Sequence, residues 1–235
     1  MRVSPSLWCA VAVSLLSPVA EAHIGLSAPG PIIANTTQEL SFTVGHGCSG
    51  ADTVRVEIRI PTGVGGVRPL DTPFGKAVVK KNASGVITSV VWTKPAEDVL
   101  PEDTQLYKFT LRAKLPDTPF APLFFPTVQT CRSAAGVATT VEWVGEDTGH
   151  GHGLAAEAAS PAPYAFLLPA RAPGWNKYTV PTHVHDLSVF HDAQIVWAGN
   201  AVYSPNTSIQ GLIAQEQNTQ PLSEIHPGTE IWIKY

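Results

Sequence analysis

From Gln38 to Gly145 apolar and polar residues alternate with a period of two, the pattern of half-buried β-strands rather than helices. The clearest run is Val54, Val56, Ile58 and Ile60, interleaved with Arg55, Glu57 and Arg59 and ended by Pro61, which has no N–H to offer a ladder. The same reading predicts strands over Glu39–Gly45, Gly75–Lys80, Val86–Thr93, Gln105–Lys114, Pro122–Gln129 and Thr139–Val144, separated by Gly, Pro, Asn and Asp clusters. About seven short strands with no helix among them imply a mainly β chain built on an antiparallel β-sandwich.

The alternation stops at "EDTGHGHGLAAEAASPAP", whose Gly, Ala, Ser and Pro content is that of a linker, assigned to residues 147–163. Residues 164–235 then predict a small α+β module, with strands at Leu187–Phe190, Gln194–Ala198 and Glu230–Lys234. One helix is expected over Thr207–Gln217, capped by Asn206 or Thr207. A piece of this size is small for independent stability, so it is expected to dock on the sandwich or to dimerise. Trp175, Trp197 and Trp232 read as its core. No internal repeat is visible.

The first 22 residues add a compartment. Arg2, the apolar run Leu7–Leu16 and the small-x-small site Ala20-Glu21-Ala22 have the three parts of a secretory signal. Cleavage would leave a chain that opens at His23, with the sandwich over residues 23–146, and no later apolar run reaches transmembrane length. The expected location is periplasmic or secreted. Cys9 would leave with the signal, and the remaining pair, Cys48 and Cys131, implies a disulfide in an oxidising compartment. With 15 Lys+Arg against 19 Asp+Glu and no basic cluster, nucleic acid is excluded as a partner.

Processing at Ala22 also changes chemistry. A free α-amine and the Nδ1 of the same residue's imidazole close a six-membered chelate, open to His23 only as a first residue. The amine's pKa of about 7.7–8.0 allows a metal to displace its proton near neutrality. Paired nitrogen donors favour Cu(II) among divalent ions.

The motifs that follow His23-Ile24 resemble those of the YcnI-like family of exported copper-binding proteins. They are "FTVGHGCSG" (42–50), "VRVEIRIPTGV" (54–64), "YKFTLRAKLP" (107–116), "FFPTVQTC" (124–131) and "VEW" (141–143), in order and over about half the chain. The resemblance implies an immunoglobulin-like sandwich and a single-histidine brace for Cu(II). In that brace His23 is the metal ligand, Trp143 lies beside the metal, and Cys48 is bridged to Cys131. It implies a copper carrier or buffer that binds the ion without turnover and hands it to a membrane or periplasmic copper-handling protein. Two positions depart from the pattern. The family's carboxylate position is Lys108, whose ammonium repels a cation, so either another group, Glu142 or Glu57, completes the shell or the chain binds copper more weakly than its relatives. The common "PGW" is Thr72-Pro73-Phe74.

Other histidines offer secondary chemistry. Gly-flanked His46 reads as a strand-end residue bonded to backbone. His150 and His152 in the linker, and His183 and His185 about 7 Å apart on one face of an extended segment, are candidate weaker metal ligands. His191 or His226 is the expected third partner of the latter pair. The alternatives to a carrier are a copper monooxygenase, with His46 as a second brace histidine, and a structural or adhesion sandwich. GxSxG and HExxH are both absent. Asn35, Asn82 and Asn206 head glycosylation sequons, relevant only in a glycosylating pathway.

Overall fold

The alternation read from the sequence becomes the two faces of a sandwich. In a computed structural model, which describes residues 24–146 and 160–235, Val56 and Ile58 are fully buried while Arg59 is exposed and Arg55 and Glu57 are half-buried. The strands before residue 160 are β1 (Ile24–Ser27), β2 (Thr37–Val44), β3 (Asp52–Arg59), β4 (Gly65–Pro69), β5 (Val78–Lys81), β6 (Ile87–Thr93), β7 (Tyr107–Lys114), β8 (Pro122–Phe124), β9 (Thr127–Arg132) and β10 (Ala138–Trp143). They form one sheet ordered β1-β2-β7-β4 and another ordered β10-β9-β3-β6-β5. All pairings within these two sheets are antiparallel. Leu40, Phe42, Phe109 and Leu111 from the first sheet meet Val56, Ile58, Val90 and Trp92 from the second in one core. Phe74, in the altered "PGW" position, packs edge-on against Tyr107 at 5.0 Å and Phe109 at 4.8 Å, so an aromatic ring is kept there.

The predicted strand over Pro122–Gln129 is in fact two strands. Pro126 has no N–H, and the chain breaks at Phe125-Pro126, leaving β8 to pair with β11 (Tyr164–Phe166) and β9 to join the second sheet. Gly75–Lys80 shortens to β5 because Gly75 turns at φ +137°, with Thr93 O only 2.3 Å from where a Cβ would stand.

The rest of the chain adds β12 (Trp175–Thr179), β13 (Ile195–Ala198), β14 (Ala201–Tyr203), α1 (Thr207–Ile213), β15 (Gln220–Pro221) and β16 (Glu230–Lys234). The five strands form a sheet ordered β12-β16-β13-β14-β15, antiparallel except for β14–β15. Its core joins Val196, Ile231, Ile233 and Phe190 to Phe120 and Leu168, so this module does pack on the sandwich connections. Leu187–Phe190 is a 3-10 turn, not a strand: the Asp186 side chain accepts from Ser188 N and caps it. Asn206 caps α1 in the same way, but the helix ends at Ile213, short of Gln217. The tryptophans are not its core. Trp232 is 43% exposed because the alternate positions Ile231 and Ile233 take the inward face of β16, and Trp175, 52% exposed, pairs with Lys234 on the same outward face.

Candidate metal centre

The amino-terminal end of the sandwich is built from β1, β2 and β7. Ile24 pairs with Val44, which pairs with Tyr107, and all three are buried. His23 lies outside the described residues, as do residues 1–22 and the linker histidines His150 and His152. Lys108 is exposed on the outer face, in one row with Thr43 and Gly25. Trp143 faces inward, 4% exposed, and its indole N–H donates to Gln129 Oε1 at 3.2 Å. Gln129 Nε2 in turn donates to the carbonyl of His46 at 3.0 Å, two residues past Val44.

Two ties hold this end together. Cys48 and Cys131 are bridged, joining the turn after β2 to β9 across 83 residues. Beside them Lys94 Nζ donates to Asp52 Oδ2 and to the Tyr107 hydroxyl, each at 2.6 Å, and Tyr107 donates to Asp52 Oδ1 at 2.6 Å. Burial, then the bonded Asp52 carboxylate, push the Tyr107 phenol far above its ordinary range. It stays a neutral donor.

His46 is an exposed ring whose Nδ1 lies 3.9 Å from Asp103 Oδ2; only its backbone joins the Gln129 network. Neither substitute carboxylate lies beside Lys108. Glu57 and Glu142 both pair with Val128, on the outer face of the opposite sheet. Glu57 is also occupied, accepting from Lys80 and Ser89 at 2.9 Å and from Arg55. Burial alone would raise its carboxyl, but these three donors outweigh that and hold it at about 2.

A second cluster forms in the C-terminal module. Val184 and Ile225 exchange both backbone hydrogen bonds at 2.9 Å as an antiparallel bridge, and both side chains are buried. Their flanking residues therefore project together from the other face: His183 and His185 from one segment, Glu224 and His226 from the other. Glu224 Oε2 lies 3.1 Å from His183 Nε2 and 3.4 Å from His185 Nδ1, and Oε1 lies 3.5 Å from His226 Nε2. The ring of His183 sits 3.8 Å from that of His185 and 4.6 Å from that of His226, centroid to centroid. Among the described residues, His183, Glu224 and His226 alone form a group of three with all ligand atoms within 4.8 Å of one another. Of the two expected third partners, His226 joins His183 in this group, and His185 stays outside it. His191 follows the capped 3-10 turn and is outside the group. Glu224 was not anticipated, although "EIH" repeats the polar-apolar-polar spacing of "HVH".

A sequence model of the DUF1775 family, described as a domain of unknown function, matches residues 23–167. Among solved structures, an uncharacterized Nocardia farcinica protein with an immunoglobulin-like fold is 24% identical, with a TM-score of 0.51 over 62% of this chain and 98% of that one. The match establishes the fold as immunoglobulin-like. BcpA, the major pilin subunit of Bacillus cereus, aligns at 8% identity with a TM-score of 0.38, over 91% of this chain and 56% of that one. No curated protein matches the chain.

Proposed function

The chain belongs to the DUF1775 family, and we propose that it is an exported Cu(II)-binding protein, a periplasmic or extracellular carrier or buffer whose ligand is His23 at the processed N-terminus. One observation carries the reading: the family match opens at residue 23, the residue that cleavage after Ala20-Glu21-Ala22 would place first. A domain boundary and a processing site that coincide on a histidine give that residue both a free amine and an imidazole, the two donors of a brace.

The surroundings support it. β1 starts immediately afterwards and is fixed by pairing with β2, which gives an adjoining ligand a firm base. The disulfide suits the oxidising compartment that the signal implies. Met1 is the single methionine and would leave with the signal, so a thioether site for Cu(I) has no donors. The protein binds copper and passes it on without turnover.

The test compares processed protein beginning at His23 with a form carrying one extra Gly before it. The extra residue moves the free amine off the histidine, so Cu(II) affinity should fall by about tenfold or more and the nitrogen hyperfine pattern should change. Unchanged affinity together with an unchanged spectrum would sink the brace.

A further inference from the structure

We propose that His183, Glu224 and His226, with the His185 ring packed against that of His183, form a second metal site, separate from the N-terminal one, which takes a borderline divalent ion, Zn(II) or Cu(II). Around a tetrahedral ion with bonds of about 2.1 Å, neighbouring donor atoms stand about 3.4 Å apart. His183 Nε2 stands 3.1 Å from Glu224 Oε2 and His226 Nε2 stands 3.5 Å from Oε1, and one ligand atom from each of the three residues lies within 4.8 Å of the others, so the group is already close to the spacing that a shared ion imposes.

The donors are also held. His183 and His185 flank Val184, and Glu224 and His226 flank Ile225, so the paired bridge fixes all four Cα positions from below. Val184 and Ile225 are 2% and 1% exposed, which anchors the bridge in the module's core while the donors above it stay partly open to water. An ion can enter without opening the fold. Two imidazoles and one carboxylate select against Ca(II) and Mg(II), which take oxygen donors, and suit Zn(II) or Cu(II). A cavity of about 130 Å³ lined by Tyr164, His183 and His185 lies alongside, with room for water or an exchanging ligand on the ion.

The experiment uses processed full-length protein with His150→Ala and His152→Ala, which removes the linker imidazoles. It is titrated with Cu(II) and, separately, with Zn(II) against a chromophoric chelator; Co(II) absorption reports geometry. Two Cu(II) are expected per chain. The extra N-terminal Gly should weaken one, and His183→Ala/His226→Ala should abolish the other, together with Zn(II) binding and the Co(II) bands. Glu224→Gln, which keeps shape and removes the anion, should weaken the second site by about tenfold or more. His191→Ala should change nothing. The second site is overturned if the double variant and Glu224→Gln both leave Zn(II) and Cu(II) stoichiometry as in the parent. Loss confined to the Gly-extended form tests the first site alone, so the two failures are distinguishable.

Discussion

Lys108 and Glu57 show how a single side chain's surroundings decide what it can offer a metal. Lys108 lies on the outer face in one row with Thr43 and with Gly25, which is two residues after His23, so its ammonium would oppose a cation held at His23. Replacing it should restore a donor: Lys108→Glu is expected to tighten Cu(II) binding by about tenfold or more, as measured by competition with a chelator. An unchanged affinity would mean that another group fills that coordination position. Glu57 cannot be that group, because Arg55, Lys80 and Ser89 already occupy its oxygens. Its value is to stability. The folded carboxyl is held at about 2, below its ordinary 4.5, so the unfolded chain binds the proton more readily. The contribution is present above about pH 4.5 and is lost as pH falls through 2. Glu57→Gln should cost about 1 kcal/mol at pH 7 by urea denaturation, and the gap from the parent should close as pH approaches 2. A gap that persists at pH 2 would assign the effect to packing.

At the level of elements, the period of two was enough to find β2, β3, β6, β7 and β10 to within two residues; it is clearest in β3 and β7, where buried positions alternate with more exposed ones because one face lies on the core. It failed where local backbone chemistry overrode the pattern: at Pro126, which divides a single apolar run, and at Asp186, whose cap winds Leu187–Phe190 into a 3-10 turn. β1, β4 and β8 are too short to carry a pattern of their own; pairing with longer neighbours defines them. The C-terminal His/Glu cluster was half legible for a related reason. Spacing put His183 and His185 on one face, but the choice of Glu224 and His226 over His191 depends on which segment pairs with Val184. That is a long-range contact, and composition is silent about it. A tryptophan's size does not by itself place it inside: on β16 the β-branched Ile231 and Ile233 fill the core and Trp232 is left outside.

On the scale of the whole molecule, the two sheets are fastened at the end where the chain emerges at Ile24. Asp52 belongs to the second sheet and Tyr107 to the first, and Lys94 binds both from a position only 5% exposed at its side chain. Taking these charges out of water is costly unless each is paired, so the triad tolerates little relative movement of the sheets. Cys131 pairs with Thr53, next to Asp52, so the disulfide reinforces the same end. A crosslink spanning 83 residues also restricts the unfolded chain, and its removal should cost about 2–4 kcal/mol. Cys48→Ser/Cys131→Ser is therefore expected to lower the urea midpoint by that equivalent, and to leave the parent and the variant alike once reductant is added. If the disulfide only resists unfolding, Cu(II) affinity at the N-terminus should survive its loss under native conditions. If it also positions β1 through β2, affinity should fall in step with stability, because the turn that carries Cys48 follows directly on the strand that holds Ile24 in place. Measuring the urea midpoint and Cu(II) affinity on the same variant separates these cases. No shift in either would mean that the buried Asp52–Lys94–Tyr107 triad alone holds this end of the sandwich.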